Sequence, residues 1–163
     1  RDVAVTGVQT CALPISSLTC MKLQLSLIPH GTFYRLLPAL LPYLEESAVR
    51  SRGRVVVDDL IRIIVTGEMQ LWVVYEEETN QIYGHFMTEV RKYPQMQLLV
   101  IQYAAMEPNH MAQIEDQMQE YATRFAKEMG CAGIEFIGRP GWKKHATKYG
   151  YQAQSVTYQK FFE

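Results

Sequence analysis

Residues 134–151 read Ile-Glu-Phe-Ile-Gly-Arg-Pro-Gly-Trp-Lys-Lys-His-Ala-Thr-Lys-Tyr-Gly-Tyr. This is a short strand that breaks on glycines into a helical turn over residues 142–149. Just upstream, Met111, Ile114, Met118, Tyr121, Phe125 and Met129 recur at steps of three or four, with Pro108 near the start and Gly130 past the end. That spacing and punctuation predict an amphipathic helix. Before it, residues 97–105 are apolar on both sides, as in a central strand. Strand, helix and strand in immediate succession make a crossover unit, whose strands should be parallel and the connection right-handed. Downstream, residues 153–162 are expected to form a last strand.

Further upstream, Leu23, Leu25 and Leu27 alternate with polar residues, the period-two pattern of a half-buried strand. Leu36, Leu37, Leu40, Leu41 and Leu44 then fall at helical spacing. Because proline is best tolerated in a first turn, the helix is expected to start at Pro38 or Pro42 and to run to Arg50, followed by a basic, glycine-containing loop over residues 50–54. A second helix fits residues 57–66, with Asp58 and Asp59 at its positive end and Gly67 closing it. Residues 70–76 and 82–92 read as strands joined by an acidic turn. On the second, Ile82, Gly84, Phe86, Thr88 and Val90 should share one face, and Tyr83, His85, Met87 and Glu89 the other.

The chain has 163 residues, 48% of them hydrophobic, and a formal net charge of -1. It is long enough for one domain with a substantial core. The balanced charge gives no bulk attraction to nucleic acid or to an anionic membrane, and no uncharged apolar run approaches bilayer length. Residues 5–15 resemble the translation of a common short-read sequencing adapter, so residues 1–20 are expected to be a non-native leader and lead-in. On that reading the natural start is Met21, and residues 21–163 form one domain. Only Cys131 then remains. A single thiol makes neither a disulfide framework nor a metal cluster and fits a reducing cytoplasm. His30, His110 and His145 have no companions at metal-ligand spacing, and no serine lies in a Gly-x-Ser-x-Gly turn.

The element order is strand, two helices, three antiparallel strands, long helix, parallel strand, short helix and final strand. It is similar to that of the GNAT acyltransferase fold, an α+β fold with a mixed sheet in three α-β-α layers. The segments Gly67-Glu68-Met69-Gln70-Leu71-Trp72-Val73-Val74, Thr88-Glu89-Val90 with Tyr93-Pro94, and residues 134–142 with Tyr149-Gly150-Tyr151 sharpen the likeness. Together they resemble a family of small phage and prophage proteins with a GNAT-like fold, over about residues 42–162. In GNAT enzymes the fourth strand parts from the fifth and acetyl-CoA lies in the opening. A basic, glycine-rich turn before the next helix binds the pyrophosphate, because free amides at a helix N-terminus attract anions. The matching turn here, residues 106–112, has no glycine, lysine or arginine, and it contains Glu107 and Pro108. The family's tyrosine, which protonates the leaving thiolate, maps onto Ala146.

The resemblance implies cofactor contacts from Ile101 and Tyr103 on the fourth strand, from Asn109, His110 and Met111 in the turn, and from Arg139 and Trp142. Arg139 is equally readable as a surface arginine stacked on Trp142, and Trp142 as a core anchor. Glu89 is the candidate base, with His85 on its face as polariser; local hydrogen bonding is its ordinary reading. Tyr149 is the candidate replacement phenol, with Tyr151 beside it, although aromatic packing accounts for both. Two functions follow. One is acetyl transfer from acetyl-CoA to an amine through a non-standard phosphate turn, with amides of the fourth strand orienting the thioester. The other is a catalytically silent binding or virion-associated protein, since a fold does not confer chemistry. The expected location is the host cytoplasm or the virion. A strand seam that splays open would favour the first.

Overall fold

The computed structural model describes residues 21–138 and 140–162; the leader expected over residues 1–20 and Arg139 lie outside them. Among the described residues a five-stranded sheet has the order β1-β2-β3-β4-β5, with β1 Leu23–Ile28, β2 Gln70–Glu76, β3 Ile82–Lys92, β4 Gln97–Met106 and β5 Gly133–Phe136. β1 to β4 are antiparallel to their neighbours, and β5 runs parallel to β4. The helices are α1 Phe33–Arg50, α2 Val57–Val65, α3 Met111–Glu128 and α4 Lys143–Lys148.

Alternation along β2 separates two cores. Leu71 and Val73 pack with Phe33, Leu40 and Leu44 of α1 and Leu60 and Ile64 of α2. Trp72 and Val74 pack with Phe86 of β3 and Ile114 and Met118 of α3. Helices therefore cover both faces, which makes three layers. Each fully buried leucine or phenylalanine contributes roughly 1.5–3 kcal/mol relative to exposure. On the α3 face, Trp72 Nε1 donates to Thr88 Oγ1 at 3.0 Å, and Thr88 donates to Gln70 at 3.1 Å.

Three expectations are corrected. α1 starts at Phe33, with Pro38 and Pro42 inside it. Both prolines lie on the exposed face, where water can take the carbonyls they leave unpaired, while the apolar stripe from Phe33 onward holds the first turns in place. On β3, the pairing shifts between Val74–Gly84 and Tyr75–Ile82. This bulge puts Ile82 in the α1 core and Tyr83 in the α3 core, against the strict alternation. The expected last strand does not form: residues 152–162 have no strand pairing. Gly150 at φ 80° and the Tyr151 N–H, bonded to the Ala146 carbonyl at 3.0 Å, cap α4 and redirect the chain. The available neighbour, β5, has 4 residues, and so short a ladder offers little against the entropy of ordering the tail.

Candidate active site

The seam between β4 and β5 is half open. β5 pairs with β4 from Leu98 to Ile101, where the last partners are Ile101 and Phe136, and residues 102–106 continue without a partner on that side. The cause lies in β4. Its pairing with β3 runs His85–Ala105 and then Met87–Gln102, so β4 carries one extra residue there, and Tyr103 takes a left-handed φ of 47°. Such a bulge bends and twists its strand, which turns β4 away from β5. Gly84 makes room for the bend, because a Cβ at that position would stand 2.6 Å from the Ala105 carbonyl oxygen.

A cavity of about 500 Å³ fills the opening. Ile101 and Tyr103 of β4, Met111 of α3, Trp142 and Tyr149 stand together on its wall. Phe136 at the end of β5 closes one side, edge-on to Trp142 at 6.2 Å and to Tyr151 at 5.0 Å between ring centroids. Ser47, Arg50 and Arg54 line it from the α1 end, and Met111 and Glu115 from α3. Since α1 and α3 cover opposite faces of the sheet, the cavity passes between the strands.

Other expected residues lie elsewhere. Glu89 is bound to Arg91 and accepts from Gln102 Nε2 at 3.1 Å; it is absent from the cavity wall and reaches it only through Gln102. His85 does not pair with Glu89. It is buried against α1, its Nε2 3.3 Å from Ser47 Oγ, and burial pushes its imidazole down to about 4. Asn109 is exposed at φ 66° in the turn before α3. His110 stands edge-on to Tyr83, ring centroids 5.1 Å apart, and is likewise off the wall. In that turn Glu107 accepts from Tyr43 Oη at 3.1 Å; burial and this carboxylate push the Tyr43 phenol up to about 12.

The sequence reading missed a proton-carrying cluster. His145 and Glu115 stand on the wall with Nδ1 2.6 Å from Oε2, and Lys148, behind them, brings Nζ to 2.7 Å from Glu115 Oε1. Lys148, followed by His145, holds the Glu115 carboxyl below its ordinary range. Tyr149 donates to Asp116, and burial followed by that bond pushes its phenol up. Tyr151 Oη donates to Gln119 at 3.0 Å, and its burial also raises the phenol. His145 and Glu115 are 30 positions apart, so no local motif announces them. Among the described residues, no group of three or more His, Cys, Asp or Glu is placed to hold a metal ion, and no helix is long and apolar enough to cross a membrane.

No protein-family model matches this sequence, and no curated protein does. Solved structures do. Glucosamine-6-phosphate N-acetyltransferase from Arabidopsis thaliana aligns with a TM-score of 0.63 at 16% identity, over 87% of this chain and 99% of that one. A GCN5-related N-acetyltransferase from Ralstonia eutropha aligns at 0.62 and 14% identity, over 85% and 98%. A predicted acetyltransferase from Clostridium acetobutylicum, solved with acetyl-CoA, aligns at 0.58 and 15% identity, over 85% and 96%. Near-complete coverage of each neighbour at such low identity establishes the architecture: the chain has the fold of the GNAT acetyltransferases.

Proposed function

We propose that the protein is an acetyl-CoA-dependent N-acyltransferase that acts on an amine. The observation that carries this reading is the open seam: β4 leaves β5 after Ile101, and a through-going cavity occupies the gap. Phage descent rests on the resemblance of residues 67–74, 88–90 with 93–94, and 134–142 with 149–151, and a host cytoplasm is the compartment this chemistry needs.

The residues present fit the cofactor. Main-chain groups of β4 beyond Ile101 are free to pair with an amide-bearing chain as an added strand would. Phe136 and Trp142 supply an apolar wall. The amides opening α3 favour anionic groups, and the Glu107 carboxylate nearby is engaged by Tyr43. When bound, acetyl-CoA supplies an activated acetyl group for attack by the amine. Glu115 holds His145 through Nδ1, so the imidazole exchanges protons through Nε2. His145 is thereby placed to give a proton to the departing thiolate, the task for which Ala146 has no group. Tyr149 is the weaker candidate because its proton is already donated to Asp116.

Calorimetric titration with acetyl-CoA is expected to give saturable heat, and acetylation of simple amines should be measurable. His145→Ala is expected to lower kcat by about 100-fold, the scale of one general acid. Glu115→Gln should lower kcat while KM for acetyl-CoA stays within about twofold, as for a positioning residue. A phage binding protein without catalysis gives the opposite result: no heat with millimolar acetyl-CoA and no acetylated product. That outcome overturns the proposal.

A further inference from the structure

The cavity has a second end, which the proposed chemistry leaves unused. α1 finishes at Arg50, and the basic loop after it brings Ser51 and Arg54 onto the same wall. Arg50 is paired with Glu46 one turn back. Arg54 donates Nη1 to the Ser51 carbonyl at 2.9 Å, and among the described residues it has no carboxylate partner. The one carboxylate among the lining residues, Glu115, belongs to α3 on the opposite face, where it is paired with Lys148 and in hydrogen-bond contact with His145. Ser47, Thr157 and Gln159 add neutral polar groups to the lining. The cavity is thus apolar and aromatic toward Phe136 and Trp142, and cationic at the α1 end.

We propose that this end selects the acceptor: an amine that carries an anionic group, carboxylate or phosphate, a few bonds from its nitrogen. The inference rests on the acyltransferase reading for the word acceptor. The anion selection stands on Arg54, since Arg50 is already paired with Glu46. A guanidinium offers paired donors that match the two oxygens of a carboxylate or phosphate. With Arg54 tethered at Nη1 by a main-chain carbonyl, its remaining donors are pre-oriented for a ligand. Ile101, Gln102, Tyr103 and Ala104 of the open β4 edge line the same cavity as Arg54, so a molecule held there by its anion has its amine end within the cavity that the acyltransferase reading assigns to the thioester.

Trp142 lines the cavity, and the other tryptophan, Trp72, is buried with its indole bonded to Thr88. The Trp142 indole N–H resonance therefore reports ligand entry, with Trp72 as internal control. The full chain is titrated with 4-aminobutyrate and with n-butylamine, which share the amine and differ in the anion. 4-Aminobutyrate is expected to bind at least about tenfold tighter, on the scale of one charge-assisted pair, and Arg54→Ala should erase most of that ratio. 2-Aminoethyl phosphate against ethanolamine repeats the test for phosphate. Equal binding within a pair, a ratio that survives Arg54→Ala, or no Trp142 response to either amine overturns the proposal. So does a variant in which CoA binding weakens while the amine ratio holds, since the arginines would then serve the cofactor's phosphates. Because binding is read without turnover, absence of acetyl transfer sinks the acyltransferase reading separately and leaves the anion result to be judged by itself.

Discussion

Gly84→Ala is expected to destabilise the protein by about 2–3 kcal/mol, within the range for overpacking at a site that cannot relax. The added methyl would sit 2.6 Å from the Ala105 carbonyl oxygen and 2.8 Å from the Met106 Cα. Both are backbone atoms of β4, paired to β3 at this point, so no side-chain rotation relieves the contact. In thermal terms the loss corresponds to a drop in Tm of roughly 4–12 °C for a chain of this size. Gly31→Ala is the control: its Cβ would meet nothing within 4 Å, and its effect should stay within about 0.5 kcal/mol. Urea unfolding of the two variants decides the matter. An effect at Gly84 no larger than at Gly31 would mean that β4 moves freely there. The bulge at Tyr103 that opens the seam would then not be held by close strand contact.

Most of the sheet is legible in the sequence because its signals are local. Leu23, Leu25 and Leu27 alternate whether or not a partner is known, and Met111 to Phe125 mark a helical stripe on their own. What escapes depends on distant partners. Residues 153–162 have the composition of a strand, yet the edge available to them is a 4-residue β5, and Val156, Tyr158 and Phe161 remain exposed. Ile82 and Tyr83 change faces because a register shift against β2 inserts a residue, which no reading of β3 alone reveals. Pro38 and Pro42 mislead for the opposite reason, since their local cost is outweighed by the burial of Phe33, Leu40 and Leu44.

The site divides in the same way. Ile101, Tyr103, Met111, Trp142 and Tyr149 follow from the family resemblance, and the bulge in β4 opens the gap whose wall they share. Arg50 and Arg54 were visible as a basic loop, but their place on the cavity wall comes from α1 packing across β4. His145 looked solitary because its partner Glu115 sits on the polar side of a different helix. Glu89 drew notice for a face it shares with His85, whereas its actual partners are Arg91 and Gln102. A chemical pair that forms across elements is invisible until the elements are docked.

His85 carries the largest expected pH effect. It is 1% exposed, its Nδ1 has no hydrogen-bond partner, and burial depresses its imidazole from the ordinary 6.5 to about 4. The main chain of Tyr103 works against that shift, although no hydrogen bond of normal geometry joins it to Nδ1. The unfolded chain therefore binds a proton between pH 6.5 and 4 that the folded chain does not, so stability rises with pH across this window. The contribution is complete above about pH 6.5 and is lost as pH falls toward 4, with a total of about 3 kcal/mol. About 2 kcal/mol of it should already be gone at pH 5. The lowered carboxyls of Glu115, Asp116 and Glu77 act with the same sign, but a depressed carboxyl loses its contribution below its unfolded range. The interval from pH 6.5 to 5 thus excludes the carboxyls, and the His85 variants separate this imidazole from the other histidines of the chain. Urea unfolding of the wild type across this interval is expected to show the loss. His85→Leu, which fills similar volume and does not titrate, should flatten the slope whatever its stability at neutral pH. Ser47→Ala/His85→Leu removes the hydroxyl that would be left without its partner and should be equally flat. A wild-type slope that persists in both variants would assign the proton uptake to another group and place water or a carboxylate beside His85 in the folded protein.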